Sequence, residues 1–184
     1  ESDALGRSGE TDDWARVWDG TFKISWEGLV LNTRYTSRDN GPYVGVTNVI
    51  NDDSELTSDQ FFADLSYATA INEKWNVDAR AYYDYADIEF AWQLFPPGMA
   101  FSPLPQHYFP AGVYGTPGFK NRVFGAEIGS DYALTDTNTL TVGAVYEYSE
   151  QYDITHYTNF DPLTYFNLGA YQDISSWGNW NIPG

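Results

Sequence analysis

The 184-residue sequence has no cysteine and few cations, and these two absences exclude several classes of protein. Without cysteine the chain has neither a disulfide framework nor a thiolate metal site. Only 9 lysine and arginine residues stand against 26 aspartate and glutamate residues, so the formal charge is −17. Because nucleic-acid binding needs clustered cations to neutralise phosphates, this balance argues against a nucleic-acid partner.

A long uninterrupted apolar run is also missing, which excludes a transmembrane helix of about 20 apolar residues. The chain contains no G-x-S-x-G, H-E-x-x-H or phosphate-binding P-loop motif. We therefore expect no enzymatic activity, no cofactor and no metal site. Aromatic residues, in contrast, are abundant at 18%, with 15 tyrosines and 7 tryptophans.

About six segments of the chain alternate apolar and polar residues with a period of two. Long strands with one apolar and one polar face predict an all-β fold, the antiparallel wall of a transmembrane β-barrel. A soluble antiparallel sheet with one wet face alternates in the same way and is the competing interpretation. The apolar positions include Phe22, Ile24, Trp26, Leu29, Leu31, Tyr35, Phe61, Leu65, Tyr67, Trp75, Val77, Tyr85, Phe124, Ile128, Tyr132, Leu140, Val142 and Tyr148.

Short turns and long loops alternate between these segments, which is typical of outer-membrane barrels with short periplasmic turns and long extracellular loops. The turns are predicted at Glu27-Gly28, Asn72-Glu73-Lys74 and Asp136-Thr137-Asn138. On this basis the whole chain, 1–184, forms a partial β-barrel. It is divided into hairpins over 22–35, 61–92 and 122–150 and loops over 1–21, 38–60, 93–121 and 151–184.

The predicted turns also fix which residues face each other. Pairing about the first two turns sets Trp26 opposite Leu29 and Leu65 opposite Ala81, which keeps the apolar residues on one face. Pairing about Thr137 sets two carboxylates, Glu127 and Glu147, opposite each other. Like charges in that arrangement are unfavourable, so a bridging cation or a shared proton is expected.

Several pieces of the sequence occur in an order and spacing that suggest a known family. They are Tyr35-Thr36-Ser37-Arg38 followed by a Gly-Pro loop, then the segments 57–67, 78–85, 124–127 and 134–144. Through these pieces, the stretch from about Phe22 to Tyr152 resembles the barrel of a TonB-dependent outer-membrane receptor.

The resemblance implies a barrel of 22 strands in the outer membrane of a Gram-negative bacterium, in contact with membrane lipid and lipopolysaccharide. Such receptors take up scarce ligands, such as a siderophore-iron complex, haem or cobalamin, and the TonB complex drives them through a plug domain. Because the sequence shows neither a plug nor a TonB box, we expect it to be the middle part of a barrel. A passive outer-membrane porin or structural barrel and a secreted, aromatic-rich carbohydrate-binding β-sandwich are the alternatives.

Two groups of residues are candidates for function. Aromatic and histidine side chains in the long loops suit a large amphipathic ligand, although they could equally pack the loops against one another. The polar strand positions are predicted to face the lumen, with Asp64 and Arg80 as a diagonal ion pair. The loop candidates are Trp92, Phe101, His107, Tyr108, Tyr114, Trp177 and Trp180, and the lumen candidates are Asn32, Arg34, Asp64, Asn76, Asp78, Arg80, Glu127 and Glu147.

Overall fold

The computed structural model describes residues 3–43, 45–51 and 53–177, and most of these residues are in β-strands. No helix long and apolar enough to cross a membrane occurs in these ranges. The strands are β1 (Ala15–Trp26), β2 (Leu29–Asn40), β3 (Glu55–Asn72), β4 (Trp75–Phe95), β5 (Met99–Ala100), β6 (Tyr108–Phe109), β7 (Val113–Thr135), β8 (Asn138–Phe160) and β9 (Asn167–Asp173), with one 3-10 turn at Pro105–His107.

Seven of the strands form one antiparallel sheet in the order β1-β2-β3-β4-β7-β8-β9. The prediction of an all-β, antiparallel fold is therefore confirmed. The short strands β5 and β6 pair with each other inside the connection between β4 and β7. Strand β1 forms one edge of the sheet. Strand β9 pairs only with the last residues of β8, so the outer edge of β8 has no partner strand from Asn138 to Thr155 within the described ranges.

The first two hairpins have the predicted register. Glu27 and Gly28 both have positive φ angles, 45° and 88°, as a two-residue type I′ turn requires. Trp26 pairs with Leu29 across this turn, and Leu65 pairs with Ala81 in the second hairpin.

In the third hairpin the observed pairing differs from the predicted one. Thr135 pairs with Asn138, and the register then shifts so that Ala133 pairs with Thr139. Leu134 is thus an extra residue on β7, a bulge that the alternation pattern does not reveal. As a result Glu127 lies opposite Val145 rather than opposite Glu147.

The strands extend into residues that the sequence assigned to loops. Strand β1 begins at Ala15, β7 begins at Val113, and β8 continues to Phe160. The predicted loops over 1–21, 93–121 and 151–184 are shorter by these residues, and the last also contains β9. The predicted loop over 38–60 is shortened at both ends, because β2 continues to Asn40 and β3 begins at Glu55. Pairing with a long neighbouring strand outweighs the weak strand propensity of glycine and proline here. Pro117, for example, lies in β7 where that strand has no register partner on β4.

The sheet has almost no buried core. Among the described residues four hydrophobic side chains are buried, namely Val49, Phe109, Val113 and Ile174, and all of them lie at the end of the sheet that carries the long loops. There the loops pack on one another. Arg7, for example, donates a hydrogen bond to the carbonyl oxygen of Ile50. Below this cluster the sheet is a single layer with both faces open.

The strands are staggered relative to the line of short turns. A row of paired residues that begins at Trp26, the last residue of β1, passes through Leu29, Tyr67, Ala79 and Ile128 and reaches Ala144 on β8. Ala144 lies about six residues after the start of β8. Over five inter-strand steps that displacement is about 20 Å along the strands and about 24 Å across them. If the short turns are level, the strands are tilted by about 40°.

Candidate functional site

The eight predicted lumen residues lie on one face of the sheet, here called the polar face. The register pairs Asn32 with Asp64 and Arg80 with Glu127. Paired residues in an antiparallel sheet project from the same side, and alternate residues along each strand do the same. Arg34, Asn76, Asp78 and Glu147 therefore share this face. The structure brings together side chains from five strands that the sequence could group only in pairs.

Arg80 joins three strands through two carboxylates on the polar face. Its Nε donates a hydrogen bond to Asp64 on β3, the diagonal pair that the sequence predicted. Its Nη1 lies 3.3 Å from Oε1 of Glu127 on β7. The expected bridging cation for Glu127 is therefore an arginine of the neighbouring strand. One guanidinium thus links three strands and is shared by two carboxylates, so the cluster keeps a net charge of −1.

Glu147 has a different partner from the one expected. The Tyr82 hydroxyl donates a 2.6 Å hydrogen bond to Oε2 of Glu147. Tyr82 crosses over Gly125, the register partner of both Tyr82 and Glu147, and a Cβ at Gly125 would overlap its ring. A glycine in the intervening strand is what allows this tyrosine to reach across two strand spacings.

Arg34 is held by an acidic residue of β1. Its Nη2 lies 2.5 Å from Oδ2 of Asp19, which also accepts a hydrogen bond from the Thr36 hydroxyl. Sequence reasoning missed Asp19 because residues 1–21 were assigned to a loop. The strict alternation of Asp19, Thr21 and Lys23 was the signal that could have placed Asp19 in a strand.

The polar residues nearest the short turns surround a shallow depression. Asn76 and Asp78 line it together with Asp131 of β7. The Thr141 hydroxyl donates a 2.6 Å hydrogen bond to Asp131. A second and larger cavity of about 670 Å³ lies farther from the turns on the same face.

The opposite, apolar face carries no charge from the short turns up to a band of aromatic residues. On β4 this stretch runs through Trp75, Val77, Ala79, Ala81, Tyr83 and Tyr85. Many large side chains on the face are exposed, including Ile24, Leu65, Ile128 and Val142, whereas Val77, Tyr83 and Tyr85 are half-buried. Within the described ranges no second sheet and no helix covers them.

The aromatic residues at both ends of this uncharged face form hydrogen bonds through their polar ring atoms or hydroxyl groups. Near the turns, Nε1 of Trp75 donates a 2.7 Å hydrogen bond to the Ser130 hydroxyl. At the other end, the Tyr35 hydroxyl donates a 2.8 Å hydrogen bond to Asp59. Tyrosine and tryptophan suit such boundaries because one end of the ring is apolar and the other end is polar.

Charged side chains begin on the apolar face directly beyond the second aromatic band. Arg122 Nη2 lies 2.5 Å from Oε2 of Glu150. Lys120 Nζ lies 3.6 Å from Asp87 and 3.4 Å from Asp153. Charge therefore appears at a corresponding level on β4, β7 and β8, and the transition from uncharged to charged is shared by neighbouring strands.

Two of the predicted loop candidates, Phe101 and His107, pack the long loops together. The Phe101 ring lies 5.3 Å from Phe95, 5.4 Å from Phe109 and 5.6 Å from Tyr165. His107 Nδ1 lies 2.5 Å from the Ser102 hydroxyl, and its ring lies 5.1 Å from Phe166. These contacts are the ones expected if Phe101 and His107 pack the loops against one another, which was the alternative to ligand binding.

Trp92 and Tyr114 lie in strands rather than in loops. Trp92 is in β4 with its ring 4.8 Å from Phe90. The Tyr114 hydroxyl, in β7, accepts a 2.7 Å hydrogen bond from Gln93. Both residues thus belong to the end of the sheet that carries the long loops. Tyr114, which was predicted to lie in the loop over 93–121, is in fact a residue of β7.

Tyr108 and Trp177 are the loop candidates that remain exposed, at 48% and 51%. They are available to a ligand at the long-loop end. Trp180 lies outside the described residues. Among the described residues no group of three or more histidine, aspartate or glutamate side chains is arranged to hold a metal ion.

His156, which the sequence places in the predicted loop over 151–184, is a half-buried residue of β8 in the structure. Its backbone N–H donates a 2.8 Å hydrogen bond to the Ser175 hydroxyl, and its carbonyl oxygen accepts one from Ile174. Burial lowers the pKa of its imidazole below the ordinary value of 6.5, because a charged ring is poorly solvated there. The segment that pairs with β8 at His156, at Ile174 and Ser175, lies after β9. No local sequence pattern around His156 therefore indicates that this residue is half-buried.

Comparison of the chain with protein-family models, with curated proteins and with solved structures finds no significant match.

Proposed function

We propose that this chain forms part of the wall of an outer-membrane β-barrel and that the barrel belongs to a receptor of the TonB-dependent type. In this proposal the apolar face contacts membrane lipid and lipopolysaccharide, and the polar face lines the lumen. The receptor imports a scarce ligand, such as a siderophore-iron complex, haem or cobalamin, into a Gram-negative bacterium. The long loops capture the ligand, and the TonB complex acts through a plug domain.

The observation that carries the proposal is the uncharged, exposed apolar face that ends in aromatic residues and then in charges. Tyr83 and Tyr85 lie about eight to ten residues beyond Trp75 along β4. At a tilt of about 40°, ten residues rise by about 25 Å, which equals the height of the apolar band of an outer-membrane barrel. A single-layer sheet in water would leave this area unfavourably exposed.

The geometry of the strands supports the same proposal. The tilt of about 40° lies within the range of about 35–45° found in β-barrels. Strands β7 and β8 have 23 residues each. Strands in soluble proteins are much shorter, with an average of about 5–6 residues. Short turns at one end and packed long loops at the other match the two unequal sides of an outer membrane.

The sequence resemblance favours a TonB-dependent receptor over a passive porin. The polar face itself is compatible with either protein, because both have a polar lumen. A secreted carbohydrate-binding sandwich requires a second sheet against the apolar face, and none lies there among the described residues.

A pair of valines on β8 provides the test. Val142 lies on the apolar face at 59% exposure, and Val145 lies on the polar face at 69% exposure. In lipid vesicles, with the strands that complete the barrel present, we expect Val142→Arg to lower the free energy of unfolding by about 2–4 kcal/mol, because the guanidinium would enter hydrocarbon. Val145→Arg adds the same side chain close to Glu127, so its cost is expected to stay below about 1 kcal/mol.

Equilibrium unfolding in denaturant, followed by tryptophan fluorescence, measures both variants against the unmodified chain. Equal losses at the two valines would contradict lipid contact at Val142. A larger loss at Val145 would reverse the assignment of the two faces.

A further inference from the structure

The polar face changes its character toward the long loops. On β4 the large apolar side chains stand at odd positions over 75–85 and at even positions over 88–92. The pairing of β4 with β7 is continuous over 75–89, so no bulge lets the side chains change sides between the two stretches. The later apolar residues therefore project from the same face as Arg80 and Asp84.

Five apolar side chains from three strands form a patch at this level of the polar face, here called the aromatic patch. Leu56 of β3 is the register partner of Phe90, and the Phe90 ring lies 4.8 Å from the ring of Trp92. Ile88 is the register partner of Phe119 on β7. Strand spacing and rise place all five Cα atoms within about 14 Å of one another. Nε1 of Trp92 is the only polar side-chain atom in the patch.

Lipid does not account for the aromatic patch. At the same level the opposite face is charged, with Asp87 and Glu89 on β4 and Lys120 and Arg122 on β7. The patch thus lies beyond the uncharged band that we assign to lipid, and it is on the other side of the sheet. Apolar side chains on the wall of a lumen favour an apolar partner, because their contact with water is unfavourable.

The packing of the long loops leaves the aromatic patch partly open. The four buried hydrophobic residues at this end of the sheet are at most 1% exposed, whereas all five patch residues are only half-buried. The cavity of about 670 Å³ begins directly below the patch. Its lining includes Ser58, which pairs with Ile88, and Ala86, which has Gln60 and Asn121 as register partners. An amphipathic ligand can therefore contact the apolar patch and these polar groups together.

We propose that the aromatic patch binds flat apolar groups, such as aryl rings, at the periphery of the imported ligand. The rings of Phe90 and Trp92 offer stacked or edge contacts, and the other patch residues surround them. Asp84 lies in the cavity below and disfavours anionic groups there, so the polar part of the ligand is neutral or cationic. The role of the patch in import rests on the proposed function.

A matched pair of neutral iron(III) complexes tests the inference, in lipid vesicles and with the strands that complete the barrel present. The tris(benzohydroxamate) and tris(acetohydroxamate) complexes share one metal centre and differ only in phenyl against methyl groups. Binding is followed by quenching of tryptophan fluorescence, and vesicles without protein give the background. We expect the phenyl complex to bind at least about tenfold more tightly than the methyl complex, since its rings bury more apolar surface.

Phe90→Ala should weaken binding of the phenyl complex by about tenfold and leave the methyl complex nearly unchanged. The matched control is Phe124→Ala. It removes the same ring from the opposite face of β7, where Phe124 lies 5.0 Å from Tyr148. The control variant should bind the phenyl complex as the unmodified chain does.

Trp92→Phe decides if Phe90→Ala fails to fold, because it keeps an aromatic ring in the patch. Among the described strands Trp92 is the one tryptophan on the polar face; the others, Trp18, Trp26 and Trp75, lie on the apolar face. The variant should therefore lose most of the quenching by the phenyl complex. Quenching that persists in full would contradict binding at the patch.

Three further results would overturn the proposal. They are equal affinity for the two complexes, equal losses in the Phe90 and Phe124 variants, and no binding of the phenyl complex. The last result would assign the patch to contact with another part of the protein. The valine test is independent of these outcomes. A large loss at Val142 together with no phenyl preference would leave lipid contact supported and reject only the aryl site.

Discussion

At the scale of single residues, the contact between Tyr82 and Gly125 shows how the polar face is built. The tyrosine ring occupies the space that a side chain at Gly125 would need, and its hydroxyl reaches Glu147 beyond it. One glycine thus permits a hydrogen bond between β4 and β8, which are not neighbours in the sheet. Aromatic side chains laid over strand glycines also restore packing that the glycine lacks.

We expect Gly125→Ala to lower the free energy of unfolding by about 1–2 kcal/mol, because Tyr82 must move and lose its bond to Glu147. Gly20→Ala is the matched control. Gly20 is also within a strand, but nothing lies within 4 Å of the Cβ that it would gain. The control should change stability by less than about 0.5 kcal/mol. Denaturant unfolding measures both, and similar values would show that the Tyr82 contact is unimportant.

At the scale of elements, the turn between β1 and β2 sets the register of the first hairpin. Gly28 has φ of +88°, and a Cβ at this position would overlap the backbone oxygen of Ala68. That oxygen belongs to β3, where the N–H of Ala68 donates a hydrogen bond to the Gly28 carbonyl oxygen. The turn therefore fits against a neighbouring strand that cannot easily move away.

Gly28→Ala is expected to destabilise the protein by about 3 kcal/mol, through both the left-handed backbone and the overlap. Gly98→Ala separates the two causes, since Gly98 has φ of +85° with nothing within 4 Å of the added Cβ. Its cost should be about 1 kcal/mol. Thermal unfolding followed by circular dichroism compares the two variants. Equal costs would mean that Ala68 yields without penalty.

The elements also show where sequence reasoning succeeds and where it stops. Alternation and a two-residue turn fix the pairing of the first hairpin, because period and register determine each other. The pair Asp64–Arg80 followed from the second hairpin in the same way. The bulge at Leu134 could not be foreseen, since an extra residue in one strand leaves the local pattern almost unchanged.

The candidate site was predictable only within each hairpin. The contact of Arg80 with Glu127 joins β4 to β7, and the intervening loop hides that register from the sequence. The packing of Phe101 on Tyr165 likewise joins segments far apart in the chain. Strand pairing within a hairpin depends on residues close in sequence. Packing of the loops at the long-loop end depends on residues from several separate loops.

At the scale of the whole molecule, the stability of the long-loop end depends on pH through a few groups. His156 is favoured in its neutral form, because burial lowers its pKa below 6.5. Asp173, whose pKa is lowered below 3.8 by hydrogen bonds from the Ser175 hydroxyl and backbone N–H, acts in a separate and more acidic range. The folded state binds fewer protons than the unfolded state in each range, so stability falls as the pH falls.

Acidification below pH 6.5 should therefore weaken the packing of the segment after β9 on β8, until the folded-state pKa of His156 is passed. Hydrogen exchange at the Ile174 amide, which donates to the His156 carbonyl oxygen, reports this locally. In His156→Asn the exchange free energy should become independent of pH between about 6.5 and 5. An unchanged slope in that variant would assign the effect to another group.

The sheet has two unpaired borders, the outside of β1 and most of the outside of β8 among the described residues. In hydrocarbon every free amide and carbonyl group along such a border would cost several kcal/mol. If the apolar face meets lipid, this sheet cannot leave water as an independent unit. Partner strands must pair with both borders in the same step. Insertion into the bilayer and closure of the barrel are therefore a single cooperative event.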